Sequence, residues 1–185
     1  MENTIQLHDK KFRIMIPAEQ IDKAVDAVAQ RINADYAGKE TPLFLGILNG
    51  SFMFMSDLIK KIEFQNELSF VKLASYDGTS STGCVKSLIG LNNSIEGRHV
   101  IIVEDILDSG ITLSYLTKYL QNRKPSSICI ATLLDKPARR RADVQAKYVG
   151  FTVPDAFVVG YGLDYAEKYR NLPFIGVLKP EVYEK

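Results

Sequence analysis

The sequence has no tryptophan, only two cysteines and only two histidines among its 185 residues. Cys84 and Cys129 lie far apart, and His8 and His99 do not flank them at the spacing of a zinc site. A structural metal and a disulfide framework are therefore both disfavoured. We expect ordinary thiols in a protein of the reducing cytoplasm.

Long apolar runs and an excess of charge are also missing. No run of roughly 18 apolar residues occurs, and no basic stretch precedes an apolar one near the first residue, so we expect neither a membrane span nor a secretion signal. The 23 Lys and Arg against 22 Asp and Glu leave a net charge of +1, which disfavours general binding to nucleic acids. A hydrophobic content of 46% predicts one folded domain over residues 1–185.

Short apolar runs alternate with amphipathic segments, which is typical of an α/β protein. Apolar residues from Ile21 to Ile32 recur at the spacing of one helix face. The continuous runs 43–48, 100–103 and 128–134 are typical of strands that are buried on both faces. We expect Ser51 to cap the helix that follows the first of these strands.

The remaining strands are predicted from shorter patterns. Residues 68–76 and 84–91 predict two strands, and the small polar segment 77–83 between them predicts a long hairpin loop. Short strands near 157–159 and 174–178 are expected to complete the same sheet. The predicted fold is α/β, with a central, mostly parallel sheet flanked by helices.

The segment after the strand 100–103 carries the most chemistry. The strand ends in the adjacent carboxylates of Glu104 and Asp105 and continues through a small-residue loop into a helix, at the edge where open α/β sheets bind ligands. Backbone N–H groups of this loop and the helix N-terminus favour an anion such as phosphate. These donors belong to Ser109, Gly110, Ile111 and Thr112. The carboxylates suit the vicinal hydroxyls of a ribose, directly or through a divalent cation.

A strand that ends in Glu-Asp also occurs in nucleotide hydrolases and at ordinary helix caps. A Walker B role would need an upstream Gly-x-x-x-x-Gly-Lys-Ser/Thr segment, and the sequence contains none. The full pattern Glu-Asp-x-x-Asp-Ser-Gly-x-Thr, from Glu104 to Thr112, resembles the phosphoribosyl pyrophosphate signature of type I phosphoribosyltransferases.

Further segments between about Leu43 and Leu178 resemble the hypoxanthine-guanine branch of that family, in the family's order. Leu48-Asn49-Gly50-Ser51 resembles its pyrophosphate loop, where a non-proline cis peptide is common, although Asn49 stands where lysine is frequent. Ser75 and Tyr76, followed by the polar loop, are similar to the flexible lid over the active site.

The other matches concern the purine and the diphosphate. Lys136 resembles the lysine that meets the 6-oxo group of the purine. The resemblance implies base stacking and backbone contacts at Phe157 and Val158, a metal-associated carboxylate at Asp164 and a diphosphate-binding Arg170. Each of these residues, taken singly, has an ordinary explanation as a core position, a turn or a surface charge. The resemblance rests on five segments that match one family in order.

This resemblance implies a fold with a small hood and a flexible hairpin lid, and transfer of a phosphoribosyl group from phosphoribosyl pyrophosphate to hypoxanthine or guanine. It implies Mg²⁺ near Glu104, Asp105 and Asp164, and a homodimer or homotetramer. It also places the carboxylate of Asp108 beside N7 of the base, where we expect a general base or proton acceptor. A simple helix cap is the alternative for Asp108. The implied phosphoribosyl pyrophosphate contacts are Asn49, Gly50, Glu104, Asp105, Asp108, Ser109, Gly110, Ile111, Thr112 and Arg170.

Two rival functions remain open. A phosphoribosyltransferase for xanthine or a pyrimidine would share most of these residues. A non-catalytic phosphoribosyl pyrophosphate sensor that binds nucleic acid would need a basic face, and Arg139-Arg140-Arg141 is the sole basic cluster in a sequence of pI about 7.7. That triplet is more simply interpreted as a solvated loop near the diphosphate or a subunit contact. We therefore expect no nucleic-acid or membrane partner.

Overall fold

The computed structural model describes residues 4–7, 10–74, 86–89, 91 and 94–178. Within them the strands are β1 (Thr4–Leu7), β2 (Lys10–Ile16), β3 (Leu43–Leu48), β4 (Glu67–Ala74), β5 (Lys86–Ile89), β6 (His99–Leu107), β7 (Ser127–Asp135), β8 (Tyr148–Thr152), β9 (Val158–Val159) and β10 (Ile175–Leu178). The helices are α1 (Ala18–Tyr36), α2 (Phe52–Ile59) and α3 (Ile111–Gln121), and a short 3-10 helix spans Pro137–Arg139. The predicted lid, with Ser75, Tyr76 and the loop 77–83, lies outside the described residues.

The central sheet has six strands in the order β5-β4-β3-β6-β7-β8. The neighbouring strands β4, β3, β6, β7 and β8 run parallel to one another. The edge strand β5 pairs antiparallel with β4. The predicted strand pair on either side of the loop 77–83 is therefore confirmed. Because parallel strands end at one edge, the segments that follow β3, β6 and β7 are brought together there.

The strand β6 is covered on both faces, as its β-branched run predicts. Ile101 and Val103 pack into the cluster that contains α1 and α2, whereas Val100 and Ile102 pack against α3 on the other side. All four side chains are fully buried. The alternation follows from the period of two along a strand, and it holds β6 firmly at the sheet centre.

The helix α1 forms because its apolar residues recur on one face, as predicted. Ile21, Val25 and Ile32 are buried on that face, which packs against β8 and α2. The backbone N–H groups of residues 20 and 21 donate to the carbonyl oxygen of Pro17 at the start of the helix. Gly38, with a φ of +71°, follows the last turn. None of the helices in the described residues combines the length and the hydropathy that a membrane span requires.

Ser51 occupies the N-cap position of α2, as expected, but its side chain does not cap the helix. Its hydroxyl is buried and donates to the carbonyl oxygen of Ile47 at 2.6 Å, and no side-chain cap bond is made to α2. The hydroxyl is therefore bound to the strand before the helix rather than to free N–H groups of the helix itself.

The strands near 157–159 and 174–178 do not complete the central sheet, which corrects that prediction. They are β9 and β10, and they form a separate four-stranded sheet in the order β1-β2-β10-β9. We call this sheet the hood; its own core includes Phe12, Val159 and Leu178. The central sheet is instead completed at one edge by β8, which sequence analysis missed because it is short and mostly half-buried.

Candidate active site

The loop that the sequence predicts to bind an anion follows β6. Gly110 occupies the N-cap of α3 with a φ of +76°, a conformation that favours glycine. In the described part of the chain, no acceptor takes a hydrogen bond from the backbone N–H of Ser109 or Gly110. A cavity lies beside this loop and is lined by residues 104–110, 112 and 113. Free N–H groups at the start of an eleven-residue helix suit a phosphate there.

Glu104 and Asp105 lie at the end of β6, next to this loop. The backbone N–H of Ile106 donates to Asp105 Oδ1 at 2.9 Å, and the N–H of Asp105 donates to Glu104 Oε1 at 3.3 Å. Burial and the neighbouring Asp105 carboxylate raise the pKa of Glu104 well above its usual range. Because two adjacent carboxylates repel each other, they favour ligands that donate hydroxyl protons or carry positive charge.

The loop after β3 lies directly against this pair. A Cβ atom added to Gly50 would be 1.8 Å from Asp105 Oδ2, so only glycine allows this approach. The peptide bond between Leu48 and Asn49 is cis, as the resemblance implies. The side chain of Asn49 is exposed. The structure thus brings the predicted pyrophosphate loop and the carboxylate pair into contact.

Arg170 and Asp164 reach the same edge through Gly162. A Cβ on Gly162 would lie 2.0 Å from the carbonyl oxygen of Gly50, so these two backbones also touch. Arg170 Nη1 donates to the carbonyl oxygen of Gly162 at 2.9 Å, and its Nη2 lies 2.9 Å from Asp164 Oδ1. The predicted diphosphate-binding arginine is therefore paired with the predicted metal-associated carboxylate.

Among the residues with described positions, no three His, Cys, Asp or Glu side chains gather as a metal cage. The pair Glu104 and Asp105, and likewise Asp164, would therefore need oxygens from a substrate to hold a cation. Mg²⁺ commonly binds in this way, through one or two carboxylates, phosphate oxygens and waters. The donor set fits a substrate-bridged Mg²⁺.

Lys136 occupies a buried corner beside the hood. Its Nζ donates to the carbonyl oxygen of Ala156 at 2.6 Å, and burial lowers its pKa, against the opposing effect of Asp108 and Asp155. Phe157 follows, with its ring exposed and edge-on to Tyr165 at 5.8 Å, and Val158 is buried in β9. The predicted purine residues thus share one corner, with an exposed aromatic face next to a buried donor.

Arg139 is a site residue to which sequence analysis assigned no definite role. Its Nε lies 3.1 Å from Asp108 Oδ1, and its Nη1 lies 3.4 Å from Asp155 Oδ1. The arginine triplet was visible in the sequence, but no periodicity in an irregular loop indicates where each side chain points. Asp108 itself lies on the loop after β6, where the sequence places it.

Comparisons with known proteins point to one family. Residues 17–166 match the family model described as "Phosphoribosyl transferase domain". The chain is 53% identical to the hypoxanthine-guanine phosphoribosyltransferase of Bacillus subtilis over 93% of this chain and 96% of that protein. It is 48% identical to the bifunctional protein TilS/HprT of Listeria innocua, over 97% of this chain but 28% of that longer protein. The crystal structure of a hypoxanthine phosphoribosyltransferase from Staphylococcus aureus superposes with a TM-score of 0.89, at 50% identity over 94% of each chain.

Proposed function

This chain belongs to the phosphoribosyltransferase family, and from that membership we propose that it transfers the 5-phosphoribosyl group of phosphoribosyl pyrophosphate to N9 of hypoxanthine or guanine. The products are IMP or GMP and diphosphate, so the enzyme serves purine salvage. The observation that carries this proposal is the meeting of three features at one sheet edge: the anion-binding loop, the carboxylate pair and the buried Lys136.

The reaction is a displacement at C1 of the ribose. The bond from C1 to the diphosphate oxygen breaks as the bond from C1 to N9 forms, and the electron pair leaves with the diphosphate. Positive charge develops on the ribose, near Glu104 and Asp105, and negative charge on the leaving group, near Arg170 and the Gly50 backbone. Groups placed to meet developing charge stabilise the transition state more than the bound substrate.

Asp108 is the proposed proton acceptor. Attack through N9 is assisted when the proton on N7 passes to the carboxylate, because the ring nitrogen then becomes the better nucleophile. Asp108 begins the loop that binds the 5-phosphate, so one short segment both holds the sugar phosphate and faces the base. The Arg139 guanidinium lies 3.1 Å from Oδ1 as an ion pair, and this buried oxygen accepts no hydrogen bond from the described residues, which leaves it available for the proton.

The residues that would hold Mg²⁺ are Glu104, Asp105 and Asp164, together with substrate oxygens. A cation bound there would neutralise charge on the diphosphate and favour its departure. The chain's own contribution is to orient these carboxylates, through the backbone N–H groups of residues 105 and 106 and through Arg170.

Base selection follows from the chemistry of Lys136, which donates hydrogen bonds and accepts none. A 6-oxo group accepts such a bond, whereas the 6-amino group of adenine would set donor against donor in a buried corner. We propose that backbone carbonyls near Val158 and Asp164 accept the 2-amino group of guanine, tolerate hypoxanthine and disfavour the 2-oxo group of xanthine.

Specificity constants for hypoxanthine, guanine, xanthine, adenine and a pyrimidine, each with phosphoribosyl pyrophosphate and Mg²⁺, test the proposed function. Adenine should be disfavoured by about 10⁴-fold, because sites with buried polar partners discriminate on this scale, and xanthine by about 10- to 200-fold. Comparable use of adenine, or a preference for xanthine or the pyrimidine, would contradict the assignment of the pocket.

We further propose the homodimer or homotetramer that the family implies. Light scattering on the purified chain measures the mass directly, and a monomer at micromolar concentration would contradict this proposal. A nucleic-acid-binding sensor would instead bind DNA or RNA without making nucleotide, and the same preparation can be assayed for both.

A further inference from the structure

The arginine triplet 139–141 has a member that the proposed reaction leaves without a role. The side chain of Arg140 is 18% exposed, against 49% for Arg139. Its guanidinium lies on the outer side of the loop 108–110 and makes four hydrogen bonds. These bonds run from Nε to the carbonyl oxygen of Asp108 at 3.1 Å, from Nη2 to that of Leu107 at 3.4 Å, from Nη1 to that of Val144, and from Nη2 to the carboxylate of Asp135.

These bonds determine which way the loop's peptide groups face. In a trans peptide the C=O of one residue and the N–H of the next point in opposite directions. Arg140 holds the carbonyl of Asp108 outward, and the carbonyl of Leu107 is held by Arg140 together with the backbone N–H of Lys136 at 2.9 Å, so the N–H groups of Asp108 and Ser109 point inward. The carbonyl of Ser109 also turns outward, since it accepts hydrogen bonds from the backbone N–H groups of residues 141 and 142 at 2.9 and 3.2 Å. The N–H of Gly110 is thereby directed inward as well.

We propose that Arg140 is a positioning residue that shapes the phosphate-binding loop. It binds the carbonyl oxygens on the outer face of the loop 108–110 and so keeps successive N–H groups aimed into the cavity lined by residues 104–110, 112 and 113. The inference rests on the proposed function in that it takes the ligand of this loop to be the 5-phosphate. Arg140 acts on that phosphate only through the loop. Preorganised donors of this kind bind an anion without reorganising when it arrives.

The surroundings of Arg140 hold it in place. Its Cδ would be 2.9 Å from a Cβ on Gly110, so the side chain packs directly on the backbone of the loop. Its partner Asp135 ends β7 and stands opposite Leu107 of β6 in the sheet register. The Arg140–Asp135 pair, with exposures of 18% and 20%, therefore ties the loop to the adjacent ends of β6 and β7.

Arginine suits this role where lysine does not. A guanidinium presents five donors in a rigid plane and can hold two carbonyls and a carboxylate together, whereas an ammonium on a flexible stem is a point charge. Replacement by lysine therefore separates positioning from simple attraction. A lysine keeps the positive charge near the phosphate but cannot hold the carbonyls of Leu107 and Asp108 in the same plane.

The affinities for IMP and inosine, measured by calorimetry on the full chain, test the proposal. The ratio of the two affinities isolates the 5-phosphate, because both ligands occupy the base and ribose sites. We expect this ratio to fall by about tenfold or more in Arg140→Ala and in Arg140→Lys, since small displacements of positioned groups have effects of this size. Arg123→Ala removes an exposed arginine that lies over Tyr119 at the far end of α3, and it should keep the wild-type ratio.

Several outcomes would overturn the proposal. An unchanged ratio in folded variants, with both ligands weakened equally, would mean a general structural role, and a wild-type ratio in Arg140→Lys would mean that charge alone suffices. If Arg140→Ala fails to fold, Arg140→Lys decides. If neither variant folds, Arg140 supports the whole fold rather than the loop, and the proposal is overturned.

Failure of the proposed function gives a different result. A wild-type chain that makes no nucleotide contradicts that function, and the affinity for inorganic phosphate then decides the role of Arg140 by itself. The expected pattern is the same, with phosphate binding weakened by about tenfold in both Arg140 variants and retained in Arg123→Ala. Equal phosphate affinities across these four proteins would overturn the role of Arg140 without bearing on nucleotide transfer.

Discussion

In the proposed reaction the carboxylate of Asp108 accepts the proton from N7 of the base. The substitution Asp108→Asn removes this proton acceptor and preserves the shape of the loop. We expect kcat to fall by about 10²–10⁴-fold, with a smaller change in the KM for phosphoribosyl pyrophosphate. Steady-state kinetics measure both constants. Asp155→Asn changes the other carboxylate bound by Arg139 and should keep most of the turnover. Near-normal turnover in Asp108→Asn would exclude this role.

Lys136 predicts a pH dependence of base recognition. Burial lowers its pKa, so its proton leaves at a lower pH than the value near 10.4 of an ordinary lysine. The neutral amine is a weaker donor to the 6-oxo group, so kcat/KM for hypoxanthine should decline on the alkaline side before an ordinary lysine would titrate.

Lys136→Arg supplies the control for this prediction, because arginine stays charged throughout the range. The ratio of wild-type to variant kcat/KM cancels the ionisation of the base itself. That ratio should fall as the pH rises, and a ratio that stays level from pH 7 to pH 10 would show that Lys136 does not titrate in contact with the base.

Individual side chains differ in how far the sequence could predict them. Glu104, Asp105 and Asp108 follow a strong strand signal at known spacing, so their common edge was predictable. The division of labour between Arg139, which reaches Asp108 Oδ1, and Arg140, which reaches backbone carbonyls, was not predictable. In an irregular loop the backbone conformation determines the direction of each side chain, and the sequence shows no periodic pattern from which that conformation could be derived.

The contact between the pyrophosphate loop and the turn at Gly162 predicts a position-specific effect of alanine. Gly162 and Gly97 both have a positive φ, at +99° and +70°. An alanine Cβ would lie 2.0 Å from the Gly50 carbonyl oxygen at position 162, but would have nothing within 4 Å at position 97. Gly97→Ala should cost about 1–2 kcal/mol of stability from left-handed strain and leave kinetics intact. Gly162→Ala should cost more and also raise the KM for phosphoribosyl pyrophosphate.

Denaturant unfolding and steady-state kinetics on the two variants separate these effects. Both share the conformational strain, so the difference between them reports the displacement of the Gly50 backbone. Equal losses of stability with unchanged kinetics in Gly162→Ala would mean that the loop after β3 adjusts freely.

A strand was predictable where the pattern of buried residues lies within its own segment. The sheet to which a strand belongs was not predictable where its pairing partner is distant in the chain. The runs 43–48, 100–103 and 128–134 are apolar on both faces and became neighbouring parallel strands. The apolar residues of β9 and β10 also indicated strands, but not which sheet they join. Their partner β2 lies near the start of the chain, and such a long-range pairing leaves no pattern within either segment.

The whole molecule should depend on a divalent cation in a particular way. Because the described residues contain no ready cage of three or more metal-ligating side chains, Mg²⁺ alone should raise the melting temperature little. Mg²⁺ with diphosphate should raise it clearly, since a ligand that binds only the folded state stabilises it increasingly as its concentration exceeds its Kd. Turnover should vanish with excess chelator and return with Mg²⁺. Full activity in chelator, or strong stabilisation by Mg²⁺ alone, would contradict the substrate-bridged site.

The division of the fold into a central sheet and a hood has a consequence for how this enzyme can change over evolutionary time. In the proposed site the segment after β6 of the central sheet binds the 5-phosphate and the ribose, whereas the base is met by Lys136, which follows β7, and by Val158 in β9 of the hood. The Val158 side chain packs in the same core as Ile101 and Val103 of β6, so a substitution there that alters the accepted base also acts on the central packing. A lineage could therefore exchange its nucleobase only by adjusting the end of β7 and the hood together, and a laboratory library that varies both would explore more of this freedom than one confined to the hood.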